Sequence, residues 1–244
     1  MWLTNELYYV KIWEWIIFFV SLIILLTYLY IQLTAPDLKK YVRRNALTWL
    51  SVDDVFQKIE NGDIILMAGN TVGERTCRKF ADSVFSHVGL LFREIHPETG
   101  VDIVYIWDCD LGQKSKEGVR VMPLRDKLRR YKGYRIAALK KLVVSSPAKR
   151  PTQEDIIGVF PKYVEKKFDN KILSWWVANW GWMYDKVKNP NTMFCSELVA
   201  ATLQDLGILK KNKVSAWYHP GNFDRATLDL ESGYSYKSTF FFNF

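Results

Sequence analysis

One stretch limits the fold before anything else. Ile16 to Leu33, IIFFVSLIILLTYLYIQL, carries no charge. Its length is close to the roughly 18 to 20 residues that a spanning helix needs. A soluble domain would have to bury such a segment, whereas a bilayer accepts it as it stands. Trp13 and Trp15 stand at one end and Tyr28 and Tyr30 near the other, where interfacial aromatics sit. A cleaved signal peptide is the competing reading. Against it, the residues before the run include Glu6 and Glu14, and no convincing small-x-small site precedes Pro36. The run is therefore read as a retained single-pass anchor. Lys39, Lys40, Arg43 and Arg44 follow it, while only Lys11 and the amino terminus precede it as positive groups. Positive flanks stay cytoplasmic, so the N-terminus is expected outside and the C-terminal domain in the cytosol. The expected layout is a membrane anchor over residues 1–33, a basic juxtamembrane linker over 34–50 and one domain over 51–244.

Composition narrows what that domain is. Apolar residues make up 49% of the chain, enough for a packed core, so a disordered chain is excluded. Trp clusters at Trp175, Trp176, Trp180 and Trp182. Cys77, Cys109 and Cys195 are widely spaced and fit neither a disulfide framework nor a zinc pattern, so a reducing compartment is expected. The net charge of +8 suits a domain held against anionic lipid. The basic residues are scattered among acids without a recognition motif, so nucleic acid is not expected as a partner.

The domain reads as alternating short helices and strands. Ser51 with Asp54 forms an acidic capping box, and Val52, Val55, Phe56 and Ile59 follow at helical spacing. Asn61-Gly62-Asp63 is a turn signal, and Ile64 to Met67 is a compact apolar strand. Gly69 to Gly73 is expected as a loop. Glu74 to Phe85 is expected as a helix, with Cys77, Phe80 and Val84 on a packed side. Ser86 to Phe92 and Asp102 to Trp107 read as a hairpin about the turn His96 to Gly100. Folding around His96 to Glu98 would set His87 directly opposite Asp108, on one face of the sheet. A one-residue slip would separate them, and Asp110 is then the alternative. Strands are expected at Val119 to Met122 and Tyr134 to Leu139, with a basic helix from Leu124 to Tyr131 between them. Thr152 with Asp155 opens another helix, with a kink expected at Pro161. Asn189-Pro190-Asn191-Thr192 signals a helix entry, and Phe194, Leu198, Val199, Thr202 and Leu206 line a helix that Gly207 ends.

Phe194 to Val199 reads Phe-Cys-Ser-Glu-Leu-Val, which puts Cys195 in the first turn of that helix. A thiol there feels the positive end of the helix dipole, which favours the thiolate. Ser86-His87-Val88-Gly89 starts a strand far upstream. Brought together, Cys195 and His87 make a nucleophile and its base. Either residue alone has a plainer explanation, since cysteines pack in cores and strand-edge histidines are often structural. Asp108 or Asp110 within reach of the ring is what turns the pair toward chemistry. A cysteine helix packed on an antiparallel sheet that carries a histidine is an α+β arrangement.

These residues resemble a circularly permuted NlpC-type branch of the papain-like cysteine hydrolases, the bacterial YiiX-like proteins and their poxviral relatives. The resemblance rests on an ordered series from Asn61 to Phe223. Gly62-Asp63-Ile64-Ile65 opens it, and Ser86 to Gly89 supplies Ser-His-Val-Gly. Asp108-Cys109 stands where the family ends a strand in Glu-Ala. Gly181 to Asp185 matches Gly-x-x-Tyr-Asp, Cys195 to Val199 gives Cys-Ser-Glu-Leu-Val, and Pro220 follows the helix. Unpermuted relatives carry the cysteine before the histidine; here the order is reversed. Asp for Glu at 108 shortens the reach to His87. The anchor lies outside the resemblance.

The resemblance implies a permuted papain-like domain with Cys195 as nucleophile, His87 as base and Asp108 as the residue that orients the ring. The backbone N–H of Cys195 would help form an oxyanion hole, and Tyr184 matches a tyrosine near the nucleophile. Ser196 and Glu197 are expected to be structural, Cys109 to be packed, and His96 and His219 to lie in a turn and a loop. The implied reaction is hydrolysis of an amide, ester or thioester through an acyl-enzyme, with peptidase or amidase action as the default. The alternatives are a lipid acyl hydrolase or acyltransferase, and an inactive, membrane-tethered binding or structural protein. No cofactor or metal is implied. The expected partners are the lipid bilayer and a peptide or acyl-lipid substrate, in a host or virion membrane if the source is viral.

Overall fold

The computed structural model describes residues 2–44, 47–95, 98–110, 118–131, 133–169, 189–225 and 227–244. It divides into two units, one through Ala35 and one from Pro36. The first unit is a helix, α1 (Trp2–Thr34). Along its described side chains the large apolar groups are exposed, with Ile17, Ile23 and Ile24 at 61–64%. By length and composition it can cross a membrane, as a signal sequence also can.

The second unit is built on one sheet. In chain order it holds α2 (Leu38–Arg44), β1 (Thr48–Trp49), α3 (Val52–Lys58), β2 (Ile64–Met67), α4 (Val72–Ala81), β3 (His87–Ile95) and β4 (Asp102–Asp110). Then come β5 (Gly118–Pro123), α5 (Leu124–Arg130), β6 (Ile136–Val144), α6 (Gln153–Val159), β7 (Lys167–Phe168) and β8 (Thr192–Met193). The last elements are α7 (Cys195–Asp205), α8 (Pro220–Asp224) and β9 (Tyr234–Asn243). Among the described residues seven strands pair in the order β1-β9-β6-β2-β3-β4-β5. Every neighbouring pair is antiparallel except β1 with β9. The two-residue strands β7 and β8 pair apart from this sheet.

The sheet is covered on both faces, so its central strands are apolar throughout. All four residues of β2 are buried. Alternate residues go to opposite faces. Ile64 and Leu66 join one core with Leu90, Phe92, Trp107 and Leu198 of α7. Ile65 and Met67 join another with Leu91, Ile106, Val55 of α3 and Leu124 and Leu128 of α5. Two contacts of Trp107 inside the first core hold β4 in place. Its Nε1 donates to Thr202 Oγ1 of α7 at 3.0 Å, and Phe160 stacks on its ring at 4.2 Å between ring centroids.

The Gly-Asp-Ile-Ile element has a structural role here. Gly62 holds φ at +86°, a conformation that favours glycine, and turns the chain into β2. Asp63 is buried and accepts N–H groups of Glu60 at 2.8 Å and Leu142 at 2.9 Å, tying that turn to β6.

Several expectations need correction. The segment 34–50, expected as a linker, supplies α2 and β1. Leu38 is fully buried, and Thr48 and Trp49 pair with Phe240 and Phe241. The basic residues are exposed while Leu38, Tyr41 and Val42 turn to the core, so a helix with one apolar stripe hides behind a basic sequence. The helix expected over 74–85 is α4, which starts at Val72 behind a Thr71–Glu74 capping box and ends at Ala81. In place of a kink at Pro161, α6 stops at Val159 and a 3₁₀ turn takes over. Thr192 belongs to a short strand, and the cysteine helix starts after Phe194. The hairpin register is two residues away from the expected one. Leu90 lies opposite Trp107, because the turn centres nearer Thr99 than Pro97. Sequence reading also missed β9, which lies one place in from the edge of the sheet.

Candidate active site

A cleft of about 770 Å³ opens where β3 begins, β4 ends and α7 begins. Cys195 is the first residue of α7 and 6% exposed. Helix α7 starts there because Phe194 is extended and its backbone N–H is capped by Glu197 Oε2 at 3.4 Å. The first N–H groups of a helix have no acceptor within it, so those beside Cys195 are a ready site for developing negative charge. Glu197 is fully buried in this capping role.

His87 opens β3 and is 8% exposed. Its Nε2 is bonded to Asp108 Oδ2 at 2.9 Å. That leaves Nδ1 as the second ring nitrogen, and Cys195 lines the same cleft as the ring. The shifted register is harmless because a two-residue slip keeps every side chain on its face. It makes His87 and Asp108 diagonal neighbours. Gly89 lies between them, with the position of an added Cβ only 3.5 Å from Asp108 Cβ. Ser86, the other polar residue of the Ser-His-Val-Gly element, accepts the Gly69 N–H at 2.8 Å and so ties the chain after β2 to this corner. The Ser86 carbonyl accepts from Cys77 Sγ at 3.7 Å and from Cys195 Sγ at 4.0 Å.

Charge is dense beneath the ring. Asp108 is fully buried, and the Lys127 ammonium contacts the same Oδ2 that His87 uses. Lys127 also binds Asp110 Oδ2, and Arg120 binds Asp110 Oδ1 while its Nε stands 3.8 Å from Asp108 Oδ1. Burial alone would raise Asp108, but Lys127 and His87 hold it well below the usual carboxylate range. Burial and the Lys127 charge pull His87 down. The anionic form of Cys195 and the Asp108 hydrogen bond outweigh them and raise it to about 9. His219 also lines the cleft, but burial and then Arg225 lower it to about 4, so it is neutral at pH 7. Burial pushes the thiols of Cys77 and Cys109 up. Cys109 sits in the core and points at Met193 O, 3.4 Å away, whereas Cys77 lines the cleft.

One oxygen or nitrogen each from His87, Asp108 and Asp110 lie within 4.8 Å of one another, a spacing that can suit a metal ion. Here the cation among these carboxylates is the Lys127 ammonium, and the donor set does not fit a metal as well.

The expected residues Cys195, His87 and Asp108 therefore meet in one place, with Asp110 beside them. Tyr184 and the rest of Gly181 to Asp185 lie outside the described residues, as do His96 and the Trp cluster at 175–182. Sequence reading missed Lys127 and Arg120. The signal for Lys127 is its spacing: it shares the apolar stripe of α5 with Leu124 and Leu128, and a lysine at a core position needs a buried carboxylate.

The family model for "permuted papain-like amidase enzyme, YaeF/YiiX, C92 family" matches residues 58–218. A comparison with curated proteins finds no match. Among solved structures, the chain is similar to metalloprotein yiiX from Escherichia coli O157:H7. The identity is 18% and the TM-score 0.40, over 60% of this chain and 65% of that one. The chain thus spans less than two thirds of that protein's length. The family match covers well over half of the present sequence, through β2, β3, β4 and the cysteine helix, and the chain belongs to the permuted papain-like amidase family.

Proposed function

We propose that this chain is a membrane-anchored cysteine amidase or peptidase acting through Cys195, His87 and Asp108. One observation carries the reading: a single cleft is lined by a cysteine that opens α7 and by a histidine whose Nε2 is bonded to a buried carboxylate. The Cys195 thiol gives its proton to His87 Nδ1, and the thiolate attacks the substrate carbonyl carbon. The oxyanion is received by N–H groups at the start of α7. The imidazolium protonates the leaving nitrogen, and an acyl-thioester on Cys195 remains. Water, deprotonated by His87, releases the acid and restores the thiol. Asp108 keeps the ring turned toward Cys195 throughout. This chemistry routes no step through a metal.

The basic residues after the apolar helix support a cytosolic position for the unit from Pro36, with the bilayer as its partner. A second reading, hydrolysis of an acyl-lipid, is favoured by one feature. The cleft wall includes Phe80, Met122, Phe168, Phe194 and Trp217, an apolar lining suited to an acyl chain. The test is labelling of the full chain in detergent micelles with peptide-like and acyl-chain-like electrophiles, followed by mass spectrometry. Modification at Cys195, abolished in Cys195→Ala and slowed in His87→Ala, is the expected result. Preference for acyl-chain probes would move the substrate class to lipid. No reaction at Cys195 with either panel would overturn the hydrolase reading in favour of an inactive, membrane-tethered binding protein.

A further inference from the structure

Lys127 is 3% exposed, an unusual place for a lysine. Helix α5 follows directly on β5 and lies under β4, so its inward stripe reaches the carboxylates at the end of β4. We infer that Lys127 is a positioning residue for the cysteine hydrolase described above: its ammonium shares the Asp108 carboxylate with His87, so that Asp108 orients the imidazole without trapping its proton.

The choice of oxygen makes the case. A lysine recruited only to neutralise a buried acid could bind Asp110 alone or Asp108 Oδ1. Lys127 instead reaches Asp110 Oδ2 and the Oδ2 of Asp108 that His87 already occupies. Two donors on one oxygen each take part of its negative charge. Among the described residues the groups around the ring are Asp108 and Asp110 from β4, Arg120 from β5, Lys127 from α5 and Cys195 from α7; across the cleft stand Glu74 and Cys77 of α4, Arg130 and Tyr131 at the end of α5, and His219 before α8. Asp108 and Asp110 are balanced by Lys127 and Arg120. Among the described residues these two cations therefore offset the two carboxylates beside the ring before the thiolate and imidazolium form. Without Lys127 the carboxylates would hold the imidazolium proton more firmly. Transfer to a leaving nitrogen would be harder.

The readout is the pH dependence of Cys195 alkylation by iodoacetamide in the full chain in detergent micelles, which requires no substrate. A thiolate–imidazolium pair gives two steps, and the upper one marks loss of the imidazolium proton. Lys127→Met should move the upper step to higher pH by roughly one unit or more. Lys127→Arg, which keeps the charge, should leave it in place. Lys127→Met leaves two buried carboxylates with one cation, so it is paired with Lys127→Met/Asp110→Asn, which removes a charge of each sign. If the single variant does not fold, the double variant is compared with Asp110→Asn alone, and the upward shift is expected against that reference. An unmoved upper step in the folded variant, or an equal shift in Lys127→Arg, would overturn the inference and leave Lys127 as a structural neutraliser. The catalytic reading fails separately: in that case wild-type Cys195 reacts no faster than Cys77 and Cys109 and shows no second step.

Discussion

Gly89 offers the sharpest test of how β3 and β4 hold the catalytic corner. A Cβ added there would lie 2.5 Å from Ile106 Cδ1 and 2.6 Å from Ile106 Cγ1. Carbon atoms pack best at about 3.5–4.0 Å, so about 1 Å of overlap has to be relieved. Turning the end of the Ile106 side chain moves Cδ1 but not Cγ1. A β-branched residue has few χ1 positions to choose from, and Ile106 is fully buried. The strands must therefore part slightly, and the diagonal bond from His87 to Asp108 spans that gap. Overpacking of this kind costs about 1–3 kcal/mol. Loss of glycine's freedom in the unfolded chain returns about 0.5–1 kcal/mol, so Gly89→Ala should destabilise by about 1–2 kcal/mol. For a chain of this size that is a fall in Tm of roughly 2–8 °C.

The second arm is Ile106→Ala. Alone it leaves a cavity and costs about 2–5 kcal/mol. In the double variant the methyl group added at position 89 enters that space, so the two losses should not add. The shortfall should be about 1–2 kcal/mol, well above the scatter of about 0.5 kcal/mol seen for independent sites. Thermal unfolding of the four proteins in detergent micelles, followed by tryptophan fluorescence, measures it. Additive losses would refute the clash. Gly89→Ala at wild-type stability would refute it more directly.

Asp108→Asn keeps the shape of the side chain but removes the charge behind His87. Cys195 labelling should slow at least tenfold while circular dichroism stays unchanged, and equal labelling rates would remove Asp108 from the site. His87 is raised from 6.5 to about 9, so its share of stability is fully present below pH 6.5 and lost as pH rises through about 9. Urea midpoints should fall as pH rises through this window in the wild type and much less in His87→Gln. Leu38→Ala should cost about 2–5 kcal/mol because Leu38 is core, whereas unchanged stability would return 34–50 to a linker. The full chain should stay in the membrane fraction after an alkaline carbonate wash, and recovery in the supernatant would count against a spanning α1.

What could be read in advance was whatever short-range chemistry decides. The capping residues Ser51 and Thr152 sit within one turn of the N–H groups they bind, so spacing alone exposes them. The run Ile64 to Met67 is buried on both faces, and its composition says so. Helix α2 is different. Its basic residues dominate the sequence, and only the sheet it lies on shows that Leu38, Tyr41 and Val42 form the face that matters. Strand β9 is a similar case. Polar Ser235 and Lys237 interrupt it, and its pairing with β6, far back along the chain, is a tertiary choice with no local signature.

The site divides along the same line. Cys195 and His87 carry local signals, a helix start and a strand start. Asp108 was reached through a register that proved two residues off, and it survived because parity, not register, decides which face a side chain takes. A one-residue error would have sent Asp108 into the Trp107 core and named Cys109 as the partner of His87. Lys127 and Arg120 had no such protection. Nothing near Lys127 in the sequence announces a carboxylate; its partners are 17 and 19 residues upstream on another element. Its one visible oddity, a charge on an apolar stripe, was a demand for a buried acid, and Asp108 and Asp110 were the acids already assigned to the cleft. Putting those two facts together would have placed α5 beneath β4, and it would have turned the expected catalytic triad into the larger charge network around His87.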